Sequence, residues 1–77
     1  MAERLPRVTA GEALRALERD GWTIVRQSGT SHAILRHPRK RGRTVIPRHA
    51  RAILKPGILA AILEDVGLTV REFRELL

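Results

Sequence analysis

The sequence predicts a small α+β fold in the order α-β-β-β-α, with a three-stranded antiparallel sheet and a short extra C-terminal helix. Three observations carry this expectation. Two Thr-x-x-Glu boxes, Thr9 to Glu12 and Thr69 to Glu72, each stand at the head of a helix-length segment. Three short segments with β-branched residues lie between residues 22 and 47, separated by turns of a few residues. Ile58, Leu59, Ile62, Leu63 and Val66 then form one apolar stripe at helical spacing.

Taken in order, Thr9 and Glu12 cap a helix over roughly 10–20, with Ala13, Leu14 and Leu17 at helical spacing and Gly21 as its stop. Trp22 to Gln27 reads as a strand, Ser28-Gly29-Thr30 as a turn, and Ser31 to His37 as a second strand. Pro38 to Gly42 is a basic turn. Arg43 to Ile46 is a third strand that Pro47 stops. Arg48 to Lys55 is a connection with little periodicity. Pro56 suits the first turn of a helix, Gly67 ends it, and its stripe from Ile58 to Val66 is core. Leu68 and Phe73 stand as a hydrophobic staple around the second box, and a last helix runs to Leu76. Consecutive strands with short loops favour an antiparallel meander, one face packed by helices and the other wet.

With 77 residues the chain is read as a single domain over 1–77, with a small core. A hydrophobic content of 43% argues against disorder. The absence of cysteine excludes a disulfide framework and a Cys-based zinc site. No apolar run approaches the roughly 20 residues of a membrane span. Residues 1–6 lack the apolar stretch of a signal peptide, so a cytoplasmic location is expected. Large multi-domain enzymes, membrane proteins and disulfide-stapled secreted domains are excluded.

The net charge is +7, and its placement says more than its size. Between Asp20 and Glu64 lie Arg26, Arg36, Arg39, Lys40, Arg41, Arg43, Arg48, Arg51 and Lys55, and no acid. A one-signed segment attracts a polyanion, either nucleic acid or an acidic protein surface. Most of these bases are arginine, which suits bidentate contact with phosphate. A solvated basic face is the competing interpretation.

In the second strand, Ser31, Ala33, Leu35 and His37 share one face, and His32, Ile34 and Arg36 the other. Ala33 and Leu35 suit the helix side, which leaves His32 and Arg36 on the open side. The turn before them, with Gly29, Thr30 and Ser31, would let a nucleic-acid backbone approach main-chain N–H groups. A histidine in a cationic field has a use on RNA, which carries its own nucleophile in the 2′-OH. Cleavage needs that hydroxyl deprotonated, the leaving 5′-oxygen protonated and the added charge neutralised. Histidine can carry either proton, and arginines can meet the charge. His32 is therefore the candidate general acid/base. Arg26, Gly29, Thr30, Ser31, Arg36, Arg39, Lys40, Arg41 and Arg43 are the candidate RNA-binding residues. An ordinary surface polar role for His32 stays open on these grounds.

His37, beside Pro38 at a strand end, reads as structural, while His49 could approach the open face. The i, i+5 spacing of His32 and His37 puts them on opposite faces, and the acids lie outside the basic segment, so no metal site is expected. Ser28 and Ser31 have no nearby acid to orient an imidazole for serine-type catalysis. No Gly-rich phosphate loop is present, and no cofactor is expected. The only aromatics, Trp22 and Phe73, are read as a core or edge anchor and as core, too few for a base-stacking platform.

Several segments in order carry a resemblance: Gly21-Trp22, Arg26-Gln27, Gly29-Thr30-Ser31-His32 and Arg36-His37-Pro38. Thr44 to His49, Leu54 to Gly57 and Ile62 to Leu68 continue it. Together, from about Thr9 to Leu76, they resemble the HicA-type (YcfA-like) mRNA interferase toxins. The resemblance implies a fold similar to a double-stranded-RNA-binding domain (dsRBD-like) and a metal-independent endoribonuclease acting on mRNA. It implies neutralisation by a HicB-type antitoxin. It also implies that His32 matches the family's catalytic histidine and that Gly29 and Ser31 match its turn. Two departures stand out. Ala33 occupies a position where many members carry a histidine or a basic residue, and the turn from Arg39 to Gly42 is more basic than usual. The alternative functions are a non-catalytic RNA-binding module of the same fold and a protein-interaction domain for an acidic partner.

Overall fold

The computed structural model of the chain describes residues 4–27, 32–47, 49 and 51–77. Its elements are α1 (Ala10–Arg19), β1 (Thr23–Gln27), β2 (His32–Arg36), β3 (Arg43–Pro47), α2 (Pro56–Val66) and α3 (Val70–Leu76). The strands form one antiparallel sheet in the order β1-β2-β3. The α+β order predicted from the sequence, extra C-terminal helix included, is the order observed.

Local chemistry sets the helix ends. The Glu12 amide donates to Thr9 Oγ1 at 3.1 Å, and the Thr9 amide donates to Glu12 Oε1 at 2.9 Å. Thr69 and Glu72 repeat both bonds at the start of α3. At the far end of α1, Gly21 takes φ 103°, which lets its own amide reach Glu18 O and the Trp22 amide reach Leu17 O, both at 3.0 Å. This is a Schellman closure, and it explains why β1 begins at Thr23 rather than Trp22. The Trp22 amide belongs to the helix end, and the ring is buried in the core. Gly67 ends α2 the same way, with the Leu68 amide on Leu63 O.

The inner face of the sheet is set by alternation. Ala33 lies opposite Ile46 and Leu35 opposite Thr44, and all four are buried. Leu17, Trp22, Leu59, Val66 and Phe73 pack over them from the helical side. Burial of one such large side chain contributes about 1.5–3 kcal/mol. Thr44, the one buried polar residue among those described, donates its hydroxyl to Asp65 at 3.2 Å and so ties β3 to α2. Arg19 donates to Leu76 O at 2.6 Å and holds the end of α3 against α1.

Four further details depart from expectation. Pro47 is the last residue of β3 rather than its stop, because an edge strand can hold a residue with no N–H at its end. The connection after it is tied to the N-terminal segment: the Leu54 amide donates to Val8 O and the Ala10 amide to Ala52 O, both at 2.9 Å. Ile58 is 39% exposed, because it leads the α2 stripe by one residue and so turns off its edge. β2 ends at Arg36, because the His37 ring turns toward α1. Among the described residues no helix is long and apolar enough to cross a membrane.

That turn of His37 builds a corner. The Arg39 amide donates to His37 Nδ1 at 3.0 Å, so the ring proton sits on Nε2, which donates to the Asp20 carbonyl at 2.8 Å. The Asp20 carboxylate accepts from Trp22 Nε1 at 3.2 Å and from Lys40 Nζ at 2.9 Å. Lys40 also donates to Val66 O at 3.2 Å. The Trp22 and His37 rings meet edge to face with centroids 5.4 Å apart. Gly21 sits inside this corner, and a Cβ there would lie 2.7 Å from His37 Nε2.

Two outcomes follow. The amide of Thr9, donating to Glu12, holds that carboxyl below its ordinary value of 4.5, and Thr69 does the same for Glu72. A carboxylate lowered on folding stabilises the fold above its unfolded pKa, and that stability is lost as pH falls through the folded pKa. Thermal melts across pH should therefore show Glu12→Gln/Glu72→Gln below wild type at neutral pH and converging with it in acid; a gap of constant size contradicts the pairing. The second outcome concerns the corner. Gly21→Ala should cost more than the roughly 1–2 kcal/mol of a left-handed residue, and the excess, about 1 kcal/mol, should vanish in a His37→Ala background. Urea midpoints of the four proteins measure this, and a strictly additive pair contradicts the clash.

Candidate functional site

The uncovered face of the sheet is read rung by rung from its pairing. Thr23, Arg36 and Arg43 share one rung, Arg26, Ile34 and Val45 the next, and His32 and Pro47 the third. His32, Arg26, Arg36 and Arg43 are all exposed. His32 and Arg36, four residues apart on β2, are separated by ~13 Å along the strand.

Arg26 reaches this face only through an irregularity. Ile24 pairs with Leu35 on the inner side, so plain alternation would send Arg26 inward as well. The pairing shifts between Ile24 and Arg26, which makes Val25 the extra residue of a bulge. Arg26 then comes level with Ile34 and faces out, beside Val25, which is 53% exposed. The middle of the face is thus a short aliphatic strip of Val25, Ile34 and Val45 with arginines on two sides and His32 beyond it.

Charge is sorted by layer. Every described acid lies on a helix or, for Asp20, on the cap of α1. Among the described residues Arg26, Arg36 and Arg43 have no carboxylate partner. Arg39 and Arg41 are exposed in the β2–β3 turn. Lys40, between them, points the other way, into its ion pair with Asp20. The charges singled out in that turn therefore do not act alike, since one fastens the turn and two face solvent.

Other residues singled out by the sequence fall as follows. Gly29, Thr30, Ser31 and Arg48 lie outside the described residues. His49 is exposed, two residues beyond Pro47. His37 is held between Arg39 and Asp20. Trp22 and Phe73 are buried, so neither offers a ring to the open face. Among the described residues no three His, Cys, Asp or Glu side chains come together as a metal site. What the open face can do chemically is move a proton at His32 and neutralise phosphate with arginine. Arg26 is among the expected phosphate-binding residues, but the means by which it faces outward and the inward commitment of Lys40 had no signal in the sequence. The first needs the bulge, and the second needs the fold to bring residue 20 to residue 40.

No curated protein matches the chain. A family model does: that of the HicA toxin of bacterial toxin–antitoxin systems matches residues 10–68. The match runs from the first residue of α1 to Leu68, just beyond α2, and takes in the whole sheet with its open face. The chain belongs to the HicA toxin family of bacterial toxin–antitoxin systems.

Proposed function

We propose that this toxin is a metal-independent endoribonuclease that cleaves mRNA in the cytoplasm, with a HicB-type antitoxin as its neutralising partner. One observation carries the reading: an exposed histidine shares an acid-free sheet face with three exposed arginines. His32 is the general acid/base. The 2′-oxygen attacks the adjacent phosphorus, the 5′-oxygen leaves, and His32 carries a proton at one of these two oxygens. Arg36, with Arg26 or Arg43 from the neighbouring strands, holds phosphate, and the arginine nearest the phosphate being cut offsets its added negative charge. Arg39 and Arg41 extend the positive surface beyond the strand ends, and Gly29, Thr30 and Ser31, outside the described residues, are assigned to positioning the RNA backbone.

The rest of the face fits this role. A helix–sheet order similar to that of double-stranded-RNA-binding domains suits contact with an RNA backbone. The aliphatic strip and the absence of rings on the described face favour recognition of phosphate and sugar over base stacking. Membership of a toxin–antitoxin family implies a protein partner, and a one-signed basic face suits an acidic one that covers it.

Purified wild type and His32→Gln, incubated with a defined ribosome-free mRNA in EDTA, test the assignment on a fragment gel. Wild type should cut, and His32→Gln should cut at least ~100-fold more slowly while melting at the wild-type temperature. Cleavage by the variant at the wild-type rate would remove His32 from the chemistry. Cleavage by wild type only after a divalent metal is added would remove the metal-independent mechanism. Binding without cleavage by either protein would leave the RNA-binding module as the function.

A further inference from the structure

We infer that Arg36 and Arg43 form a one-phosphate subsite apart from the reaction centre at His32, so that the substrate is a single strand lying along β2. The inference rests on the reading of the open face as a nucleic-acid face and assigns its parts different duties.

Arg36 and Arg43 are direct cross-strand partners, and both are exposed on the same side. Side chains so placed start about 4.5–5.5 Å apart, and like charges directly opposite destabilise a sheet. Among the described residues no carboxylate relieves the pair, and Thr23 completes the rung without an acid. A phosphate between the two guanidiniums turns repulsion into attraction, since each can donate two parallel N–H bonds to its oxygens. The rung is also fixed in place. His37, the next residue after Arg36, is bonded to the Asp20 carbonyl, and Lys40 in the same hairpin turn is bonded to Asp20 and Val66. A binding group held before its ligand arrives loses less freedom on binding.

Distance separates this rung from the chemistry. At ~13 Å along the strand, with Ile34 and Val45 between, a phosphate centred on the Arg36–Arg43 pair lies beyond a His32 ring that stands out from the sheet on its own rung. Arg26, one rung from His32, is the nearer cation and is the one placed to offset charge on the phosphate being cut. The pair then holds a neighbouring phosphate of the same strand. Width selects a single strand. Three strands ~4.8 Å apart make a face about one backbone wide, with Arg26 on β1, Arg36 on β2 and Arg43 on β3.

A single-stranded DNA oligonucleotide is a suitable probe, because it has the phosphates but no 2′-OH and cannot be cut. Its affinity is measured by fluorescence anisotropy over a salt series for wild type and Arg36→Gln/Arg43→Gln. The slope of log affinity against log salt should become shallower by about 0.7, the value for one phosphate on a single strand. A change near 1.4 would mean two separate phosphates, and no change would mean that the rung does not touch the strand. Either result overturns the inference, as does equal or tighter binding of the matching duplex. A second measurement needs neither nucleic acid nor His32. At low salt Arg43→Gln should melt above wild type, and inorganic phosphate, compared with chloride at matched ionic strength, should raise the wild-type midpoint more than that of the variant. If His32→Gln still cuts RNA but these results hold, the nuclease assignment fails and the phosphate subsite stands. If wild type and variant respond alike to phosphate, the subsite fails whatever His32 does.

Discussion

The geometry of the sheet depends on one corner, where α1 stops and β1 begins. Asp20 takes part in it with almost every polar atom it has. Its amide closes the helix on Ala16 and Leu17, its carbonyl accepts from His37, and its carboxylate accepts from Trp22 and Lys40. None of these bonds is large alone, since a hydrogen bond contributes about 0.5–1.5 kcal/mol net and a half-exposed ion pair about 1 or less. Their effect is positional. They join four places in the chain, the end of α1, the start of β1, the β2–β3 turn and the end of α2. Gly21 makes the junction possible twice over, by its positive φ and by leaving room for the His37 ring. The hairpin therefore cannot slide relative to the helices, and the outward residues of β2 and β3 keep fixed stations.

Once the hairpin is fixed, strand alternation separates the two jobs of the sheet. Ala33, Leu35, Thr44 and Ile46 face the helices and belong to the core, while His32, Ile34, Arg36, Arg43 and Val45 face out. The acids stay with the helices. Glu12 and Glu72 are needed there to close capping boxes, Asp65 receives the Thr44 hydroxyl, and Asp20 serves the corner. Acids with work in the helical layer are removed from the open face by the thickness of the domain. Positive potential on that face is thus a product of the architecture as much as of the total charge of the chain.

Much of this was legible in the residues. Capping boxes, glycine stops and β-branched runs act within a few residues, so the order of elements and the inner face of β2 could be read directly. What was not legible depends on contacts distant in sequence. Nothing near Val25 announces a bulge, because the bulge arises from pairing with β2, and without it plain alternation would turn Arg26 inward. Lys40 looks like its neighbours Arg39 and Arg41 until Asp20, twenty positions away, is brought beside it. The segment from Ala52 to Leu54 lies against Val8 and Ala10, a contact between places far apart in the chain. The exposed position of Ile58 is a subtler case: the apolar stripe was correct from Leu59 to Val66, but Ile58 lies at its angular edge and is 39% exposed.

The division between the faces also bears on what the open face is for. A chain of 77 residues has a small core and a modest stability, and nearly all of its large buried side chains lie on the helical side of the sheet or in the helices themselves. Substitutions on an uncovered face usually change stability by less than about 0.5 kcal/mol, so the fold places little demand on the identity of those residues. A face chosen for stability alone would pair opposite charges across its rungs. Here Arg36 stands opposite Arg43, Arg26 is turned outward by a bulge, and no described acid answers them. Stability does not account for that choice, whereas the polyanionic ligand proposed above would supply the missing counter-charge. The same argument separates His32 from His37. His37 is bonded into the corner, while His32 stands exposed on the open face, opposite a proline at the end of an edge strand.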